Sequence, residues 1–184
     1  MPEPHIISPV SVMASMLLAT GLAGSAEAEV KSVAPSGFEV VEAMTIHASP
    51  EQIYAALGKI GQWWNSSHTF SRDASNLSLD LKAGGCFCER LKDGDSVQHL
   101  IVVYAAPGEG LRLRGSLSPL QMEGVDGTLA WALKPSAGGT NVMQNYVVGG
   151  YIRSGMDKGA PKVDGVPHEQ LDRLRRFVEA KPLN

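Results

Sequence analysis

The sequence predicts an α+β domain in which a curved antiparallel sheet of about seven strands is covered by a long C-terminal helix. Three observations carry this. From Leu77 onward the chain runs as six short alternating segments joined by hairpin-length turns, which makes the sheet antiparallel. Near the C-terminus Leu171, Leu174, Phe177 and Val178 form an apolar stripe at helical spacing. One further strand and a capped helical stretch precede the run of strands. An antiparallel sheet buries one face, and the amphipathic helix is the element able to cover it.

A length of 184 residues suits one domain, and 43% hydrophobic with 19% charged residues suits an ordinary globular core. The formal net charge of -3 and scattered basic residues give no Lys/Arg face for a nucleic-acid partner. The densest basic group, Arg173, Arg175 and Arg176, reads as the solvated face of a helix.

The first residues read as a targeting segment. The apolar run from Val12 to Gly24 is shorter than the roughly 20 residues a membrane span needs. Ala26-Glu27-Ala28 offers small residues where a signal peptidase cuts. Cleavage after Ala28 and export, to the periplasm, are therefore expected, although "MPEPHIISP" lacks the usual basic start; the alternatives are a lipid-free membrane anchor or a true start at Met13. The reading is residues 1–28 as a signal peptide, 29–37 as a flexible lead-in and 38–181 as the domain, with no membrane insertion of the mature chain. Export would place both cysteines in an oxidising compartment.

The elements follow in order. "FEVVEAMTIHAS" alternates from Phe38 and is a strand of about ten residues with one buried face. "SPEQIYAALGKIGQWW" opens a helix. Ser49 is a good N-cap, Pro50 suits the first helical position, and Gln52 can reach back to the Ser49 amide. Ile53, Ala56, Leu57 and Ile60 share one face, while Gly58 and Gly61 break off a second short helix carrying Trp63 and Trp64. "LSLDL", "GGCFCERL", "SVQHLIVVYA", "GLRLRGSL", "GTLAWALKP" and "GTNVMQNYVVGGY" are the six strands. Asp93-Gly94 supplies a tight turn, because both residues readily take positive φ. In "GLRLRGSL" Leu111 and Leu113 face inward and Arg112 and Arg114 face water. The last helix starts at Pro167, or is kinked there if it begins near Pro161.

This order resembles the START-like, or SRPBCC, helix-grip superfamily, shared with polyketide cyclases. "TIHASPEQIYAALGKIGQWW", "LKAGGCFCERL", "DGTLAWALKPSAGGTNVMQNYVVGGY" and "VDGVPHEQLDRLRRFVE" are similar to the branch named for activators of a heat-shock chaperone ATPase. The resemblance spans residues 38–180. It implies a helix-grip fold with a cavity between sheet and helix, a common place for an apolar ligand. It implies no single reaction, since many members only bind, and the branch name describes ancestry, not chaperone activation.

The chemistry-bearing residues cluster around "GGCFCERLKDGDSVQHLIVV". A two-residue Asp93-Gly94 turn places Cys88 across from His99 and Cys86 across from Ile101, on one face. Three visible ligands, Cys86, Cys88 and His99, without a fourth fall short of a tetrahedral metal site. A Cys88–His99 nucleophile pair is conceivable. A Cys86–Cys88 disulfide is strained, since residues two apart in an extended strand lie near the Cα limit of about 7 Å. The plain alternative, two small buried residues in a sheet, is the expectation. Glu89 falls on the opposite face with Phe87 and is expected in solvent, although inside the cavity it could serve as a base. His47, His68 and His168 are expected at the surface.

For a helix-grip domain the aromatic residues Tyr54, Trp63, Trp64, Trp131, Tyr146 and Tyr151, with His99, are the expected ligand contacts. Trp131 alternates with Leu129 and Leu133 and fits plain core packing; one ring of the Trp63-Trp64 pair is expected to be less buried. The expected function is binding of a small, largely apolar molecule without a chemical step, metal or cofactor. The alternative is a cyclase-, dehydratase- or hydrolase-type enzyme using His99, Cys88 or Glu89; a third reading is a protein-interaction module centred on Trp63-Trp64. A closed apolar cavity favours binding, and an open one with His99 and a carboxylate converging favours the enzyme. A filled interior with an exposed aromatic patch favours the interaction module.

Overall fold

The computed structural model describes Met1 and residues 29–180; the expected signal peptide and the end of the chain lie outside the described residues. Eight strands form one open antiparallel sheet in the order β1-β2-β8-β7-β6-β5-β4-β3. They are β1 (Glu29–Ala34), β2 (Gly37–Ile46), β3 (Leu77–Leu79), β4 (Cys86–Arg90), β5 (Ser96–Ala106), β6 (Gly110–Gly115), β7 (Gly124–Ser136) and β8 (Gly139–Tyr151). Helix α1 (Pro50–Leu57) follows β2, a single turn α2 (Met156–Gly159) follows β8, and α3 (Val166–Ala180) closes the chain.

All six strands expected after Leu77 form, and one more appears. Residues 29–37 do not behave as a lead-in: Glu29–Ala34 pairs with β2 as an edge strand, Val33 opposite Phe38. Its polar composition hid it, because an edge strand with an exposed surface needs no apolar face. β2 and β8, far apart in sequence, pair in unbroken register from Gly37–Gly149 to Ile46–Thr140 and join the two ends of the chain.

Helix α1 starts as its sequence dictates. Ser49 Oγ accepts from Gln52 N at 3.3 Å, and Ser49 N donates to Gln52 Oε1 at 3.0 Å. This reciprocal cap is worth about 1 kcal/mol. Trp63 and Trp64 lie just past a 3-10 turn at Ile60–Gln62, not on a second α-helix. Helix α3 lies on the concave face against β2, β8 and α1. Leu171 and Leu174 are fully buried there, and burial of each contributes about 1.5–3 kcal/mol. Its outer face carries Arg175 and Arg176, and Arg175 pairs with Asp172 and Glu179. Arg173, expected on the same solvated face, instead turns inward to donate to Trp63 O at 2.7 Å.

Leu111 and Leu113 are buried and Arg112 and Arg114 exposed, which fixes the concave face of the sheet. On β4 that inward face carries Phe87 and Glu89, while Cys86 and Cys88 point to the convex side. The alternation of β4 matches the sequence expectation; the side that became core does not.

Candidate functional site

Between the concave sheet, the start of α3 and the loop after Trp63 lies an open cleft of about 250 Å3. Phe87 and His99 form its floor, Trp64, Phe70 and Arg72 its roof, and Leu117 and Val166 its sides. A small recess of about 30 Å3 adjoins it, bordered by Trp64, Tyr146 and Gln170. Hollows of about 380 and 360 Å3 on the outside of the molecule are shallower and carry no comparable polar arrangement.

The roof is tied down on two sides. Asn65 N donates to Gln170 Oε1 on α3 at 2.9 Å, and His68 Nε2 meets Glu169 Oε2 at 2.9 Å. On the sheet side Glu89 accepts from the backbone N–H of Phe70 at 3.1 Å and from that of Ser71. Glu89 is 1% exposed, so these bonds replace lost hydration. Burial pushes its carboxyl pKa up, but the donors from Ser71, Phe70 and His99 outweigh that and hold it below the usual carboxylate range. Glu89 is thus a buried anion whose loop-anchoring role follows from its own hydrogen bonds.

His99 is the third donor. Its Nε2 lies 3.0 Å from Glu89 Oε2. The imidazole is 6% exposed and packs between aromatic rings, 4.9 Å from Phe87 and 5.9 Å from Phe70 between centroids. Burial pushes its pKa below the ordinary imidazole value against the opposing pull of Glu89. A neutral imidazole donating through Nε2 carries a lone pair on Nδ1. No hydrogen bond engages that atom among the described residues. His99, held by the buried carboxylate of Glu89, thus lines a cleft whose aromatic side is Trp64, Phe70 and Phe87 and whose polar side includes Ser67, Thr69 and Ser118.

The β4–β5 register corrects the expected placement of these groups. Cys86 pairs with Ile101 and Phe87 with Leu100, but Cys88 pairs with Gln98 and Glu89 with Val97. His99 is the extra residue of the bulge between them. It turns inward to join Glu89, not outward to join Cys88. Bulges re-aim side chains in this way, and no periodicity reveals them. Glu89 is accordingly core, not solvent-facing. Cys86 and Cys88 form a disulfide with Cα atoms 5.4 Å apart, so neither is a plain buried residue, and Cys88 is no nucleophile or metal ligand in this state.

The other expected contacts divide. Trp64 and Tyr146 border the cleft or its recess. Trp63 and Trp64 are both buried, with indole N–H groups donating to Ala56 O and His68 O, so neither ring of the pair is the exposed one expected. Trp131 is core and donates to Gln144 Oε1 at 2.7 Å. Tyr54 is core and reaches Leu81 O. Neither of these two, nor Trp63, borders the cleft. Tyr151 is 67% exposed at the sheet end and is no cavity residue. His47 and His68 are exposed as expected, but His168 is half-buried and meets the buried Glu42 at 3.1 Å. The sequence reading passed over Phe70, Phe87 and Arg72. In the sequence Phe87 is marked only as the one large apolar residue alternating with two cysteines, and the cysteine side is read there as the buried one. Phe70 and Arg72 sit in an irregular loop without periodicity.

No family model matches this chain, and no curated protein matches it. Solved structures share its fold. A protein from Mesorhizobium loti superposes with a TM-score of 0.57 at 15% identity, covering 79% of this chain and 99% of its own. One from Rhizobium leguminosarum gives 0.56 at 19%, covering 78% and 95%. One from Enterococcus faecalis gives 0.56 at 16%, covering 82% and 76%. At such identities the likeness concerns the sheet and helix arrangement alone.

Proposed function

We propose that this domain binds a small, largely apolar molecule in the cleft over Phe87, with His99 Nδ1 accepting a hydrogen bond from it. One observation carries the reading: an open hollow lined by Trp64, Phe70 and Phe87, with His99 held in place by a buried carboxylate. A volume of about 250 Å3 is at the small end for a ligand pocket, which points to a compact guest. The element order supports membership of the START-like helix-grip superfamily, and the disulfide supports an exported, periplasmic location. Nothing in the charge balance favours nucleic acid, and no described helix is long and apolar enough to cross a membrane. The test is native mass spectrometry of protein taken from its own compartment. A retained small molecule, lost in Phe87→Ala, is the expected result; protein that carries none and whose Trp64 fluorescence ignores a small-aromatic library would overturn it.

A second reading has its own support. A carboxylate-oriented neutral histidine facing an open cleft is also the arrangement of a general base. In that case His99 takes a proton from the bound molecule, and Glu89 steadies the imidazolium. Recovery of a chemically altered guest from the wild type and an unaltered one from His99→Gln would favour this reading over binding alone.

A further inference from the structure

The β4–β5 hairpin keeps one register at its base and another from Cys88 to its tip. At the base Cys86 pairs with Ile101 and Phe87 with Leu100. At the tip Asp95 N donates to Lys92 O at 3.1 Å across the Asp93-Gly94 turn, both φ positive (59° and 85°), and Leu91 N donates to Asp95 O at 2.8 Å. The base register, continued unbroken, would set Cys88 opposite His99. Instead the pairs from Cys88–Gln98 to Arg90–Ser96 are displaced by one residue. The displacement begins between Phe87 and Cys88, inside the ring that the disulfide closes.

The disulfide and the unbroken ladder exclude one another. Residues two apart in a regular strand lie roughly 6.6–6.8 Å apart. The Cys86 and Cys88 Cα atoms are held at 5.4 Å. A strand shortened this much cannot keep step with an extended partner, and the surplus residue on β5 is His99. A bond closing so small a ring also restricts the unfolded chain little, which makes it a poor staple for the fold. Both cysteines are half-buried on the convex face, so a thiolate can approach from outside without entering the cleft.

We infer that Cys86–Cys88 is a thiol–disulfide exchange site whose state selects the hairpin register, and with it the position of His99. In the oxidised state His99 is the bulged residue turned in against Glu89. In the reduced state β4 extends, Cys88 moves opposite His99, and the imidazole turns out to the convex face. The reactant class is a dithiol. One thiolate attacks a sulfur and displaces the other; the second thiolate resolves the mixed disulfide. Two electrons and two protons pass to the cysteines, and the dithiol leaves as its own disulfide. None of this depends on what the cleft binds.

The test is titration of the folded chain with dithiothreitol, counting thiols by alkylation and mass and following the His99 ring by NMR. Both thiols are expected to form without denaturant. The His99 signals should move, and the imidazole midpoint should rise toward its ordinary range as the ring leaves burial. Oxidised glutathione should restore the first spectrum. The double variant C86S/C88S should show the reduced spectrum with no dithiol added. Thiols that form while His99 stays unchanged would overturn the inference, as would a disulfide that yields only when the chain unfolds. Should the double variant not fold, the wild-type titration decides alone.

Discussion

His99 Nε2 meets Glu89 Oε2 at 3.0 Å although the register at the base of the hairpin, continued, would point the two side chains to opposite faces of the sheet. The contact exists because the bulge turns His99 inward. It joins the cleft floor to the roof, since the same carboxylate holds the backbone of Phe70 and Ser71.

Replacing Glu89 should therefore loosen the roof before it disturbs the sheet. In Glu89→Leu two backbone N–H groups and the His99 Nε2–H lose their acceptor. Unsatisfied buried groups cost about 1–3 kcal/mol each, reduced where water reaches them. Urea unfolding should show a loss of about 2–4 kcal/mol. Limited proteolysis should cut first near Phe70, and uniform protection of that loop in the variant would refute the anchoring role.

Acid should destabilise the domain in two windows. His99 has its pKa lowered by folding, so the unfolded chain binds its proton more readily. Its contribution is complete above about 6.5 and is lost as pH falls through the lowered folded value. Glu89 also has a lowered pKa, so its contribution is present above about 4.5 and is lost at more acid pH. Glu42, raised by burial beneath α3, has the opposite sign: its cost appears as pH climbs from about 4.5 through the raised value. Thermal unfolding between pH 7 and 5 should show a decline that His99→Gln flattens and Glu42→Gln steepens. A His99→Gln profile parallel to wild type would count against a buried neutral imidazole.

The sheet and its covering helix were legible because period-two and helical spacing leave marks in every strand but the polar edge strand β1, and in Leu171, Leu174 and Val178. The candidate site was half legible. His99, Glu89 and Cys88 were on the page as neighbours, but their partners depended on one bulged residue, and a bulge alters no composition. Phe70 and Arg72 were illegible, since loop residues acquire a position only through contacts such as Glu89 to the Phe70 amide. The surplus aromatics misled for a simple reason. Large rings fill a core as readily as they line a pocket, and Tyr54, Trp63 and Trp131 do the former.

Arg72 gives the cleft a preference. It borders the opening in a left-handed conformation (φ 60°), and no ion pair engages it among the described residues. An exposed charge pair is worth up to about 1 kcal/mol, which corresponds to roughly fivefold in affinity. A probe with an anionic end, 3-phenylpropanoate, should therefore bind about three- to fivefold more tightly than its neutral amide. Arg72→Gln should abolish that difference and leave the amide unaffected. Equal binding of both probes to the wild type, measured by ligand-observed NMR, would remove Arg72 from the recognition surface.

Tyr146 carries the other wall. Its ring is 1% exposed, and its hydroxyl accepts from Leu117 N at 3.1 Å, fixing the segment that flanks the cleft. Burial pushes its pKa up to about 12, so the phenol stays protonated throughout the working range. Gly127 makes room for it: a Cβ there would lie 2.8 Å from the Tyr146 ring and 2.9 Å from Gly115 O. The two positions fail differently. Tyr146→Phe keeps the packing and strands the Leu117 amide, a cost of about 1–3 kcal/mol. Gly127→Ala pushes the ring against its surroundings, a cost of about 1–3 kcal/mol through overpacking. The double variant separates a shared cause from independent ones. If both act through the Tyr146–Leu117 contact, their costs fall short of additive by at least ~0.5 kcal/mol in denaturant unfolding. Additive costs would show that Gly127 serves the β6–β7 backbone contact alone.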